Sequence, residues 1–308
     1  MILIWGTTWA AIRIGLEDVP PLTGVALRFG VASALLLALA AVLRVPIASS
    51  RERALWVVHG VLSFTVSYSV TYWAEQWIPS GLAAVLFATF PLFVGLLAHL
   101  ILPAERLTLL AVAGILLGFF GVATIFSEDL NALAGPGVVL AAGVMLLSPL
   151  AAAMGNVAVK RWGSGIHPVS LNAGGMLLTT GVVGGAALAL ERGRPLDFTP
   201  QALGSILYLA VMGSAVAFSL YFWLLQHVRA TRLALVAYGI PIVAVAVGAL
   251  AFDEPVTLRV ILGAVLVLAG CALATRRGGA VGHQSPGSPS APMPNRPAGG
   301  GSTPQTYT

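Results

Sequence analysis

Ten apolar runs dominate this chain, at residues 2–16, 22–43, 54–74, 80–101, 107–126, 135–157, 169–190, 203–225, 231–252 and 257–275. A helix rises about 1.5 Å per residue, so about 20 residues match the roughly 30 Å of bilayer hydrocarbon. Inside hydrocarbon every peptide group must be bonded within its own segment, which a helix achieves and an open sheet does not. The runs therefore predict an all-α integral membrane protein of ten transmembrane helices. Composition agrees: 58% of the 308 residues are hydrophobic and 9% are charged, where soluble domains carry about 25% charged residues.

The loops between the runs predict orientation. Arg44, Arg51, Arg53, Arg106, Lys160, Arg161, Arg229, Arg232, Arg276 and Arg277 fall in one set of alternate loops and the C-terminal flank. The other set holds Arg192, Arg194 and, at a helix start, Arg259. Short cytoplasmic loops are enriched in Lys and Arg, so both termini are expected on the cytoplasmic side of a plasma membrane. The first run is short and carries Trp5-Gly6-Thr7-Thr8-Trp9 where a helix middle belongs, as if the helix began upstream of Met1. A cleaved signal peptide fits worse, because a charged leader and a small-residue cleavage site are both missing. Residues 278–308 turn to Gly, Pro and Ser, with Arg296 their one charge, and are expected to be a disordered tail.

Several chemistries are excluded early. Lys160 is the one lysine and follows Val159, so the glycine-lysine step of a phosphate-cradling loop is missing and transport would run on gradients. The arginines form no clustered face of the kind nucleic acid needs. Cys271 is the one cysteine, and His59, His99, His167, His227 and His283 lack ligand spacing. No cofactor and no metal are expected. The implied partners are a small-molecule substrate and the lipid bilayer, and a homodimer is left open.

The chain also repeats itself at about 150 residues. Tyr72-Trp73-Ala74-Glu75-Gln76 precedes a run containing Pro91, and Phe222-Trp223-Leu224-Leu225-Gln226 precedes one containing Pro241. Glu105-Arg106-Leu107-Thr108, with Gly114 and Gly121, matches Glu254-Pro255-Val256-Thr257, with Gly263 and Gly270. Halves of five helices each cross the membrane in opposite senses, and such inverted repeats serve transporters that expose one midplane site to either side in turn.

Trp5-Gly6-Thr7-Thr8-Trp9, Pro20-Pro21-Leu22 with Leu27-Arg28-Phe29, Ser80-Gly81-Leu82-Ala83-Ala84, Phe90-Pro91-Leu92-Phe93 and the Glu105 and Glu254 segments resemble the EamA family of the drug/metabolite transporter superfamily. The resemblance covers residues 5–277 and implies two EamA repeats, 1–127 and 135–276, around a central cavity. It further implies efflux of amino acids or other small metabolites, without naming the cargo.

Polar groups inside hydrocarbon are costly and normally face a cavity or a partner. His59, Ser63, Ser67, Thr71 and Glu75 recur every four residues, so they form a polar stripe on one helix face. The stripe reads as a cavity wall or as a helix-packing seam. Candidates for the cavity are Trp9, Arg28, Ser67, Thr71, Tyr72, Glu75, Asn156, Tyr221 and Tyr238. Glu75 can bind a cation, carry a proton or pair with Arg28. Arg28 can bind a carboxylate or snorkel outward, whereas Arg13 is expected to pair with Glu17 one turn on. Trp5 also supplies aromatic surface, while Trp73 and Trp223 suit an interfacial belt. Pro91 and Pro241, near the middle of their runs, are expected to kink their helices and shape the cavity or a gate. Gly114, Gly118, Gly121, Gly263 and Gly270 are read as packing devices. Two other classes stay open: a membrane-embedded enzyme acting on a lipid-linked substrate, and a non-transporting scaffold or sensor.

Overall fold

A computed structural model of the chain describes residues 1–46, 50–78, 80–125, 127, 136–251 and 257–275. In order, the helices are α1 (Ile2–Asp18), α2 (Pro21–Val42), α3 (Ser50–His59), α4 (Ser67–Ala74), α5 (Ser80–Phe87), α6 (Phe90–Ile101), α7 (Leu109–Ile125) and α8 (Pro136–Met145). They continue with α9 (Leu147–Trp162), α10 (Pro168–Leu190), α11 (Pro200–Ala210), α12 (Ala217–His227), α13 (Ala230–Ala234), α14 (Val236–Ala251) and α15 (Leu258–Thr275). Two π-helical segments, π1 (Gly60–Val66) and π2 (Val211–Val216), join α3 to α4 and α11 to α12 without a break. No strand occurs among the described residues. The tail at 278–308, Asp253-Glu254 and Arg276-Arg277 lie outside them.

Among the described residues, seven stretches are long and apolar enough to cross a membrane: Pro21–Val42, Ser50–Ala74, Leu82–Ile101, Gly137–Trp162, Pro168–Leu190, Pro200–His227 and Leu258–Thr275. Leu109–Ile125 and Ala230–Val243 are apolar but shorter. The described part of each expected run falls on these helices or on α1, and several runs are divided within themselves. The run at 80–101 divides between Phe87 and Phe90, so Pro91 stands in the first turn of α6, where its missing N–H forfeits no helical bond. Pro241, by contrast, lies inside α14, after a division between Ala234 and Val236.

Small residues decide which helices touch. A methyl group added at Gly114 would meet the Gly270 carbonyl at 2.7 Å, and one at Gly121 the Gly263 carbonyl at 2.8 Å. α7 and α15 thus cross backbone to backbone, as the glycines predicted, a close approach that small residues permit and side chains forbid. α2 runs along α10 in a second long contact.

Two carboxylates close helix starts on distant parts of the chain. Glu191, just past α10, accepts from the amides of Leu22 and Thr23 at 2.9 and 2.8 Å and from the Thr23 hydroxyl at 2.7 Å. Glu105, just past α6, accepts from the amides of Ala230 and Thr231 at 2.8 and 3.1 Å and from the Thr231 hydroxyl at 3.1 Å. The first amides of a helix have no partner of their own and carry its positive pole, so an acid is the fitting acceptor.

The loops sort into two ends. Arg51 donates to the Trp162 carbonyl at 2.7 Å, Lys160 Nζ to the carbonyls of Leu225 and Val228 at 2.7 and 2.8 Å, and Gln226 to that of Ile166 at 2.7 Å. Those contacts gather the basic loops at one end. At the other, Asp18 holds the Thr199 hydroxyl at 2.5 Å and the Asp197 amide at 3.0 Å, close to Glu191 and the start of α2.

Candidate substrate cavity

A cavity of about 100 Å³ lies among α1, π1, α4, the α5–α6 junction, α9, α12 and the α13–α14 junction. A water needs about 10–15 Å³ on this measure, so the space admits several waters or one small organic molecule. Its wall is mostly aromatic: Trp5, Trp9, Tyr68, Phe87, Phe90, Phe218, Tyr221 and Phe222. Thr8, Ser63, Ser67, Thr71 and Asn156 supply polar groups, and no acid, base or histidine is among the lining residues.

The π segments help place this wall. Bonding from residue i to i+5 widens a helical turn and re-aims the residues beyond it, and turns of this kind recur at functional sites. Ser67, Tyr68 and Thr71 come after π1; Phe218, Tyr221 and Phe222 come after π2. Widened turns also leave carbonyls free for side chains. The Gly60 carbonyl accepts from Thr179 at 3.1 Å, and the Gly213 carbonyl from Trp5 Nε1 at 3.2 Å. Two more lining residues, Phe90 and Ile240, each sit one position before the prolines Pro91 and Pro241.

Of the candidates read from sequence, Trp9, Ser67, Thr71, Asn156 and Tyr221 line the cavity. Ser67 and Thr71 share Ser148 of α9, whose hydroxyl lies 3.0 Å from one and 2.8 Å from the other. The amide of Asn156 donates to the Tyr221 hydroxyl at 2.5 Å. Its oxygen is buried without a partner, and the residue is 2% exposed.

Arg28, Tyr72, Glu75 and Tyr238 are not among the lining residues. Tyr238 packs its ring on Gly118 and donates its hydroxyl to the Ile115 carbonyl at 2.8 Å, bridging α14 to α7. Arg28 does not snorkel. It is 1% exposed and points into the bundle, donating through Nε to Ser214 at 2.8 Å and, at 3.4 Å each, through its outer nitrogens to Tyr72 and the Gly213 carbonyl. The guanidinium also lies 4.6 Å from the centre of the Tyr68 ring. Glu75 is fully buried, and neither carboxyl oxygen has a hydrogen-bond partner. Arg13 donates to the Glu75 backbone carbonyl at 2.7 Å rather than bonding Glu17. The polar stripe therefore divides. Ser63, Ser67 and Thr71 face the cavity, whereas His59 bonds Ser63 at 2.9 Å and Asn172 of α10 at 3.3 Å.

The sequence alone does not single out Phe87, Phe90, Phe218 and Phe222 as cavity wall. The available signal is position: Phe90 precedes Pro91, and Phe218 and Phe222 flank Tyr221 on one helix face. Among the described residues no three His, Cys, Asp or Glu side chains gather as a metal site would require.

Comparison with known proteins places this arrangement. The family model of EamA-like transporters matches residues 1–127 and 139–276. The Escherichia coli (strain K12) protein named uncharacterized inner membrane transporter YedA is 33% identical over 80% of this chain and 79% of its own length. The Bacillus subtilis (strain 168) uncharacterized transporter YoaV is 26% identical over 87% of this chain and 91% of its own. An E. coli K12 protein named "Probable amino-acid metabolite efflux pump" is 26% identical over 88% and 90%. A solved crystal structure shares the fold with a TM-score of 0.76 at 21% identity, covering 89% of this chain and 93% of that one. The chain belongs to the EamA-like transporter family of the drug/metabolite transporter superfamily.

Proposed function

We propose that this transporter exports small metabolites with a compact apolar body and no net charge, such as neutral amino acids or related compounds, across the inner membrane. One observation carries the reading. A single cavity is walled by aromatic rings and hydroxyls from α4 and α12, which occupy matching places about 150 residues apart in the chain. Apolar walls with a few fixed polar groups are what a small-molecule site needs. Walls drawn from two similar halves can close on either side in turn. The efflux pump among the relatives supports amino-acid-like cargo, and the relative named as an inner membrane transporter supports the location.

In this reading the chain forms ten membrane-crossing helices as two inverted five-helix repeats. The end that gathers Arg51, Lys160 and Gln226 faces the cytoplasm, with both termini. An enzyme acting on lipid-linked substrates would need paired acid and base groups on its substrate, and the cavity wall offers hydroxyls, indoles, phenols and one amide instead.

Counterflow tests it. Purified chain in liposomes loaded with unlabelled L-phenylalanine or L-alanine should accumulate the labelled compound, and protein-free liposomes should not. Cells overproducing the chain should survive toxic analogues of the same amino acids. Failure of a broad set of neutral metabolites to exchange would sink the cargo reading. Reporter fusions that put residues 44–53 and 158–167 on opposite faces of the membrane would sink the topology.

A further inference from the structure

Arg28 is a buried, permanently charged fork whose partners are a hydroxyl, a phenol, a carbonyl and ring faces, with no carboxylate among them. Its hydrogen-bond partners and the nearer of the two rings belong to one of two places. Tyr68 and Tyr72 lie on α4, after π1, and Gly213 and Ser214 lie in π2. Two of these contacts reach the cavity wall directly. The ring beneath the guanidinium is that of Tyr68, a lining residue. The Gly213 carbonyl that takes Nη2 also takes Trp5 Nε1 at 3.2 Å, and Trp5 is a lining residue too.

We propose that Arg28 is a positioning residue: its guanidinium fixes the shape of the substrate cavity by tying Tyr68 of one wall to π2, the segment that aims the other. The proposal rests on the transport reading above. A planar guanidinium holds several directions at once, with donors in its plane and a ring on its face, and an ammonium on a flexible stem does not. The fit is close at Gly213, where an added methyl would come within 3.2 Å of Nη2 and 3.1 Å of Thr8, another lining residue. Ser214 is held in turn, since its hydroxyl donates to the Leu209 carbonyl at 2.9 Å, five residues back along the widened turn. Arg28 therefore stands behind the wall, against the lining residue Tyr68.

The test uses the full chain in proteoliposomes with labelled L-phenylalanine and L-phenylalaninamide as probes. Arg28→Met and Tyr68→Leu should each raise the half-saturation concentration for both probes about tenfold while the maximal rate per folded protein stays within about twofold. The double variant should be no worse than Tyr68→Leu alone, because Arg28 reaches that wall through the Tyr68 ring. Tyr68→Phe keeps the ring face and should resemble the parent, while Arg28→Lys restores charge without the plane and should resemble Arg28→Met. Recovery in Arg28→Lys, additive effects in the double variant, or a fall in maximal rate alone would overturn the proposal. So would a loss confined to the carboxylate probe, which would make Arg28 a direct ligand for cargo.

A second readout needs no cargo. In a Cys271→Ser, Ala152→Cys chain, a small methanethiosulfonate reagent reports access to the cavity-lining position 152. Arg28→Met and Tyr68→Leu should change its rate by the same factor, about threefold or more, and the pair by no further factor. An unchanged rate refutes the positioning role. If neither probe exchanges in the parent protein, the amino-acid reading fails and this rate alone decides Arg28.

Discussion

The same substitution, glycine to alanine, should move stability in opposite directions at two kinds of site. At Gly114 the new methyl would press still harder on the Ala274 nitrogen than on the Gly270 carbonyl, which lies 2.7 Å away and so 0.7 Å short of the 3.4 Å where ordinary contact begins, and both obstacles are backbone. α7 and α15 must then separate along their seam. Overpacking of this kind costs about 1–3 kcal/mol, against about 0.5–1 kcal/mol that alanine returns in a helix interior. The net expectation for Gly114→Ala is a loss of about 1–2 kcal/mol. At Gly181 and Gly185 no atom lies within 4 Å of the added methyl, so those variants should gain about 0.5–1 kcal/mol. Unfolding in mixed micelles with rising SDS, tracked by the helical circular dichroism signal, measures both. Gly114→Ala combined with Gly121→Ala should cost less than the sum, since the first change already opens the crossing. The reasoning fails if Gly114→Ala and Gly181→Ala shift the midpoint alike.

Glu191→Ala strips three bonds from the start of α2 and should destabilise by about 2–3 kcal/mol in the same assay, with Glu191→Gln losing about half as much because one acceptor remains. Equal loss in the two variants would make the charge the whole of the cap, and no loss in Glu191→Gln would count against the charge and in favour of packing. Tyr221→Phe removes the acceptor for the Asn156 amide; it should cost about 1–2 kcal/mol and raise the half-saturation concentration in counterflow. Glu75→Gln removes a carboxyl that makes no hydrogen bond, so stability should stay within about 1 kcal/mol of the parent. A larger drop would reveal a partner in another state of the transport cycle.

Local chemistry made the helices legible. Pro21, Pro168 and Pro200 open α2, α10 and α11 where proline rules place them. The spacing of Gly114 and Gly121 announced a close crossing. The fate of the polar stripe was not fully legible: Ser63, Ser67 and Thr71 keep one face across π1 and line the cavity, whereas His59 is taken by Asn172 of another helix and Glu75 falls at the end of α4, partners and depth that spacing does not encode. Arg28 looked like a surface-seeking side chain for a related reason. Its partners, Gly213 and Ser214, lie in the second widened turn, far along the chain. The phenylalanines were hidden by abundance, since lipid and cavity both accept them: Phe120 is 59% exposed and Phe90 is 8% exposed. Only tertiary packing separates the two.

The reach of the Glu191 cap bears on how the protein is made. The amides of Leu22 and Thr23 leave the ribosome 168 or more residues ahead of the acid that finally receives them. During that interval the second helix begins with an unmet positive pole, served by water or lipid headgroups alone. Its final seat is taken only after the seventh apolar run has been threaded through, which leaves the early segments free to adjust while the later ones arrive.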